Sequence, residues 1–152
     1  MKEVKFSTIQ LHPFIKINEE YKYLVLKRNS FSHIYPSMWQ VITGKIEEGE
    51  KAYIAAKREL TEETSKSAIN LYHIPFVGSF YDWRKDNIEN IPCFGAELDS
   101  KDIQLSNEHS DFKIVSYSEL TSYLELPSHI IGADYLKKYI IENPNKNNFL
   151  IK

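Results

Sequence analysis

Stretches rich in β-branched and aromatic residues dominate the chain, broken once by a long segment of a different character. Val4 to Ile17 (VKFSTIQLHPFIKI) predicts a strand interrupted near Pro13. Tyr21 to Arg28 (YKYLVLKR) has a solid apolar centre and predicts a buried strand, followed by a loop, NSFSHIYPS. Met38 to Thr43 (MWQVIT) predicts a short strand ending at Gly44. The period then changes. Glu50 to Thr64 contains neither proline nor glycine; Ala52, Ala55, Ala56, Leu60 and the long charged residues around them predict a helix. Gly49 and the acids before it suit the helix start, since carboxylates favour the positive end of the helix dipole.

Beyond Asn70, LYHIPFVGSFYDW and IENIPCFGAEL predict two strands joined by a turn at RKDN, and DFKIVSY predicts another strand. Ser116 and Glu119 have the spacing of a capping box, which predicts a short helix reaching Leu126. Ser128 is positioned to cap a last helix. Ile131, Tyr135, Leu136, Tyr139 and Ile140 recur along it at helical spacing, and Asn143-Pro144 would end it. This order of elements predicts a mixed α/β fold with helices packed on a sheet.

Composition narrows the class. A chain of 152 residues, 42% hydrophobic and without a Pro/Gly/Ser-rich linker, suits one domain spanning 1–152. A formal charge of −2 lacks the basic excess of a general nucleic-acid binder. Cys93 is the single cysteine, so no internal disulfide can form; within a strand, it is expected to be buried and inert. The opening MKEVKFSTIQLH has no apolar h-region, and no window approaches the length of a membrane span. A cytoplasmic location, without membrane or nucleic-acid partners, is the expectation.

Between Gly44 and Lys66 the chain carries Glu47, Glu48, Glu50, Glu59, Glu62 and Glu63. On a helix, residues three and four apart share a face, so Glu59, Glu62 and Glu63 crowd one side of the last two turns. Ala55, one turn earlier, leaves room beside them. Such crowding is met either by solvent, with Arg58 and Glu62 forming an i,i+4 pair, or by a hard divalent cation that takes oxygen ligands.

Taken in order, Gly44, five residues, Glu50, seven residues, Arg58-Glu59-Leu60, one residue and Glu62-Glu63 resemble the Nudix box of the Nudix hydrolase superfamily. The box continues with a glycine and an aliphatic residue, where this chain has Ser65 and Lys66. A serine in the left-handed conformation common just past a helix costs on the order of 1 kcal/mol. Ala68 or Ile69 is available to supply the missing aliphatic contact.

The resemblance implies an α/β/α sandwich with a mixed β-sheet and a catalytic loop–helix–loop. It implies one to three Mg²⁺ or Mn²⁺ ions held by Glu59 and Glu63, with Glu62 a ligand or linked through water. Arg58 and Glu50 would pair to orient the helix, Gly44 would allow close backbone approach, and the Thr43 carbonyl is a further possible ligand. The segment NEHSDFKIVSYSEL resembles a late segment of the family, which makes Glu108 a further ligand or base, with Glu97 as the alternative. Lys45 and Arg28 are the cations available to the phosphates. The general base stays open among Glu59, Glu62 and Glu108.

The form Trp-Gln-x-x-Thr-Gly before the box is similar to the branch that hydrolyses dihydroneopterin triphosphate or dATP. This implies a nucleoside or pterin triphosphate cut to the monophosphate and pyrophosphate. Trp39, Tyr81 and Trp83 are candidates to stack on the ring. ADP-ribose or a dinucleoside polyphosphate is the alternative substrate, and a non-catalytic nucleotide sensor is the alternative outside the enzymes. A homodimer is an open assembly state. The histidines, at 12, 33, 73, 109 and 129, show no pair at metal-ligand spacing and receive no role.

Overall fold

A computed structural model describes residues 4–152. Its strands are β1 (Thr8–Ile17), β2 (Glu20–Arg28), β3 (Trp39–Gln40), β4 (Ile42–Lys45), β5 (Asn70–Asp82), β6 (Asn87–Leu98) and β7 (His109–Val115). Its α-helices are α1 (Ala52–Thr64), α2 (Tyr117–Tyr123) and α3 (Pro127–Leu136), the last running into a π-helical turn at Lys137–Ile141. A 3₁₀ turn at Lys146–Phe149 follows.

The strands form one mixed sheet in the order β3-β2-β1-β6-β5, with β4 also on β1 and β7 also on β2. Among the described residues only β1 and β6 run parallel. Pro13 does not interrupt β1, contrary to expectation. On one edge β1 pairs with β4 through Leu11 and with β2 from Phe14, so Pro13 falls between the two partners, where a missing N–H does least harm. Met38–Thr43 is likewise two strands, since β3 pairs with β2 and β4 with β1.

Alternation along the strands builds two cores. Leu11, Leu24, Leu26, Ile42 and Leu71 face α1, packing on Ala55, Ala56 and Leu60. Phe14, Tyr23, Val25, Val41 and Tyr72 face the other way, onto Leu120, Ala133, Leu136 and Ile140. The sheet is thus covered by helices on both faces, which explains the unbroken apolar centre of β2.

Helix boundaries depart from expectation where local capping chemistry is weak. α1 begins at Ala52, not Glu50, because Glu50 is engaged by Arg58 and by the Glu47 N–H. The capping box at Ser116 and Glu119 forms in full, but α2 stops at Tyr123. Ser128 does not cap α3. Leu126 takes that position with Pro127 at N1, where its fixed φ suits the first turn.

Candidate active site

The end of β4, the start of β7, the loop after β2 and the β5–β6 turn all lie at one end of the sheet. The pairings Thr8 with Lys45, Arg28 with His109, and Gln10 with Cys93 fix this placement. α1 presents its last two turns there.

Arg58 ties the loop before α1 to the helix. Its guanidinium donates to both Glu50 carboxylate oxygens at 2.9 Å, to the Lys45 carbonyl at 2.8 Å and to Glu59 Oε1 at 3.0 Å. A weaker contact reaches Glu62 at 3.2 Å. The bidentate bond holds the Glu50 carboxyl down at about 2. Glu59 is buried, and that burial outweighs Arg58 and pushes its carboxyl up to about 7.

Gly44 lies directly over Glu59, and a methyl group at its Cα would overlap the Glu59 carboxyl. Close approach, not backbone freedom, is the reason for glycine here. Gly44→Ala is therefore expected to displace Glu59 and to destabilise the fold by about 1–3 kcal/mol. Thermal melts and metal titration of the variant check this; a stability and metal affinity equal to wild type would remove the assigned role.

Glu63 is 3% exposed and is held by two groups that the sequence did not single out. His109 Nδ1–H donates to Glu63 Oε2 at 2.6 Å, and the Ser106 hydroxyl donates to the same oxygen at 2.8 Å. Gln40 Nε2 donates to His109 Nε2 at 3.1 Å, which fixes the tautomer with the proton on Nδ1. Burial alone would raise the Glu63 carboxyl, but the bonds from His109 and Ser106 draw it below the usual carboxylate range. Glu108 stands beside Glu63, and burial together with the Glu63 charge raises its carboxyl. The one sequence signal for this arrangement was His109 following Glu108 at the start of a strand.

Glu59, Glu63 and Glu108 therefore gather at one place, with Glu62 at the rim. Among the described residues, no three carboxylate, imidazole or thiolate groups converge on a single point: Glu59 turns to Arg58, and Glu63 to His109 and Ser106. The donor set, buried carboxylates beside a glycine that makes room for one of them, nonetheless fits a hard divalent cation.

Residues 14–139 match the family model of the NUDIX domain. The chain belongs to this family. It is 29% identical over 115 residues to Nudix hydrolase 5 of Arabidopsis thaliana, covering 74% of this chain but only 37% of that protein. It is 25% identical to the nucleoside triphosphatase NudI of Escherichia coli, covering 70% of this chain and 82% of NudI. Among solved structures, a Listeria monocytogenes protein assigned to the NUDIX hydrolases superposes with a TM-score of 0.75 at 25% identity, covering 98% and 99% of the two chains. The E. coli dihydroneopterin triphosphate pyrophosphohydrolase shares the fold with a TM-score of 0.71 at 20% identity, covering 88% and 94%.

In this Nudix chain Ser65 takes the left-handed conformation, φ 59° and ψ 22°, so the backbone leaves α1 along a path that favours glycine. Its N–H bonds the Thr61 carbonyl at 2.9 Å. Ala68 packs on the α1-side core while Ile69 is exposed, so Ala68 supplies the aliphatic contact. Lys66 instead bonds Ser100 and Asp99.

The other predicted residues divide. Arg28 lines a cleft of about 420 Å³ together with Glu108. Lys45 is exposed at the end of β4. Trp39 is not brought to the acids: it packs edge-on against Tyr123 of α2, on the opposite face of the sheet. Tyr81 is exposed near the β5–β6 turn, its hydroxyl on Asp86 at 2.7 Å. Glu97 bonds Asn70 at 2.9 Å and stands near Lys146, on the α3 side. Cys93 is buried and its thiol is pushed up to about 12 by burial. No helix among the described residues is long and apolar enough to cross a membrane.

Proposed function

We propose that this Nudix protein hydrolyses a phosphoanhydride bond of a nucleoside or pterin triphosphate, leaving the monophosphate and releasing pyrophosphate. One observation carries the reading: two buried glutamates one helical turn apart, Glu59 under Gly44 and Glu63 fixed by His109 and Ser106, with Glu108 beside them. A solvated acidic face has no use for burial of this kind, and a nucleotide sensor would not need it.

Glu59 and Glu63 would hold Mg²⁺ or Mn²⁺, with Glu62 at the rim and Glu108 beside them. When bound, such an ion neutralises phosphate charge and makes water a better nucleophile near neutral pH. The protein's own groups do the remaining work. Arg58 locks the loop and helix into one unit through Glu50 and the Lys45 carbonyl. His109, its tautomer set by Gln40, keeps the Glu63 oxygens in place. Arg28 brings positive charge to the cleft that Glu108 also lines. Glu108, which lines that cleft, would take a proton from the attacking water.

The choice of a triphosphate is supported by the resemblance of the segment before the box and by the likeness to NudI over most of that protein's length. The test is turnover of dihydroneopterin triphosphate, dATP, ADP-ribose and diadenosine tetraphosphate in Mg²⁺, with products identified. Pyrophosphate release from a triphosphate, abolished by EDTA, is expected. Two nucleotide-like products from ADP-ribose, with the triphosphates left intact, would overturn the choice.

A further inference from the structure

The exposed large apolar side chains are unevenly placed. Phe31, Ile34 and Tyr35 of the β2–β3 loop, and Phe80, Trp83 and Ile88 at the β5–β6 turn, range from 48% to 86% exposed. All belong to the end of the sheet that carries the acids. Clustered apolar exposure of this kind marks a binding surface more often than chance.

Two open clefts meet there. The first, about 420 Å³, is lined by Arg28, Phe31 and Glu108 among others, so Glu108 is the carboxylate it reaches. The second, about 430 Å³, is lined by Tyr35, Phe80, Trp83 and Arg84. His33 and Ile34 line both, so the clefts lie side by side. Each has the size of a small-molecule site, and their chemistry differs: charged groups beside the acids, aromatic walls farther out.

The aromatic wall stands on a turn held by its own hydrogen bonds. Asp82, buried, accepts from the Arg84 backbone N–H at 3.0 Å and from Arg84 Nε at 3.3 Å. The Tyr81 hydroxyl closes onto Asp86, which sits at φ +52°. Trp83 is thus 75% exposed on an anchored turn, an arrangement that core packing does not explain and that lowers the entropy lost on stacking.

We infer that the second cleft binds the flat heterocycle of the substrate, with Trp83 and Phe80 on one wall and Tyr35 on the other. The first cleft then leads the polyphosphate to Glu59, Glu63 and Glu108. This assignment rests on the reading of the chain as a triphosphate hydrolase and adds the residues that choose the ring. Stacking tolerates different bases because every base has a π-face, so Trp83 contributes affinity while the edge groups of His33 and Arg84 discriminate among rings.

The test uses the full chain. Trp83→Ala is expected to raise KM for dATP and dihydroneopterin triphosphate about tenfold or more. The inhibition constant of inorganic tripolyphosphate, which has no ring, should stay unchanged. Separately, Trp39→Phe leaves Trp83 as the sole tryptophan, and Glu63→Gln added to it slows turnover. In that variant dATP with Mg²⁺ should quench the fluorescence while tripolyphosphate should not. An unchanged KM, or an unquenched Trp83 at saturating dATP, overturns the cleft assignment and leaves the hydrolysis reading standing. Failure of the wild type to turn over any triphosphate overturns that reading instead, and the quenching experiment still decides the cleft.

Discussion

Glu63→Gln is expected to lower kcat more than about 100-fold, the upper range seen when only an outer partner of a metal ligand is removed. The Tm should stay within about 4 °C of wild type. Glutamine keeps the shape, and its Oε1 still accepts from His109 Nδ1–H and from the Ser106 hydroxyl, the two bonds that hold this side chain. Its amide also relieves the repulsion between Glu63 and Glu108. Only the negative charge is lost, and that charge is what a divalent cation requires. Steady-state kinetics beside thermal melts separate the two effects. A kcat within a few fold of wild type would remove Glu63 from the metal site, whatever the other glutamates do.

His129→Phe is expected to protect the protein against acid, by an amount that grows as the pH falls. His12 of β1 and His129 of α3 are both 2% exposed where the helix meets the sheet, and Gly132 comes close enough that a Cβ would lie 2.6 Å from His12 Nε2. Gln10 Nε2 donates to His12 Nε2 at 2.7 Å and to the Ser128 carbonyl at 2.8 Å, while His129 Nδ1 is buried without a partner. Burial lowers His12 to about 3, helped by the neighbouring His129, and lowers His129 to about 4.

The sign follows from proton counting. Above pH 6.5 neither the folded nor the unfolded state protonates these rings, and they add no pH dependence. Below it the unfolded chain takes up protons that the folded chain refuses, so stability falls with pH at about 1.4 kcal/mol per unit for each ring until its folded value is reached. Glu59, raised to about 7, acts in the opposite sense, because the folded state holds its proton more tightly. The informative quantity is therefore the difference between His129→Phe and wild type, in which Glu59 cancels. Phenylalanine fills the ring volume and leaves no orphaned nitrogen. Its advantage should grow between pH 6.5 and 4.5 by about 2 kcal/mol, or roughly 4–8 °C in Tm. Melts across that range check it; a difference that does not move with pH would mean that His129 is free to protonate inside the fold.

The legible parts of the fold were those written in short-range chemistry. α1 was visible because helix formers run unbroken through it, and the shared face of Glu59 and Glu63 follows from helical geometry alone. The capping box of α2 was visible because both partners lie within four residues. The interruption expected at Pro13 was not found, because whether a proline disturbs a strand depends on which neighbour faces its missing donor. Likewise, the split of Met38–Thr43 is set by two different strands claiming adjacent residues.

By itself the sequence determined the acids, their spacing along one helical turn, and the arginine that ties them to Glu50. Tertiary structure alone decided what surrounds them. Ser106 and His109 lie far from Glu63 along the chain and meet it, with Gln40 behind His109, only because β3, β7 and the end of α1 close on the same end of the sheet. Trp39 and Gln40 are neighbours in sequence yet point to opposite faces, so one joins the α2 core and the other fixes the histidine. Periodicity states which residues share a face; only the pairing of distant strands states what that face meets.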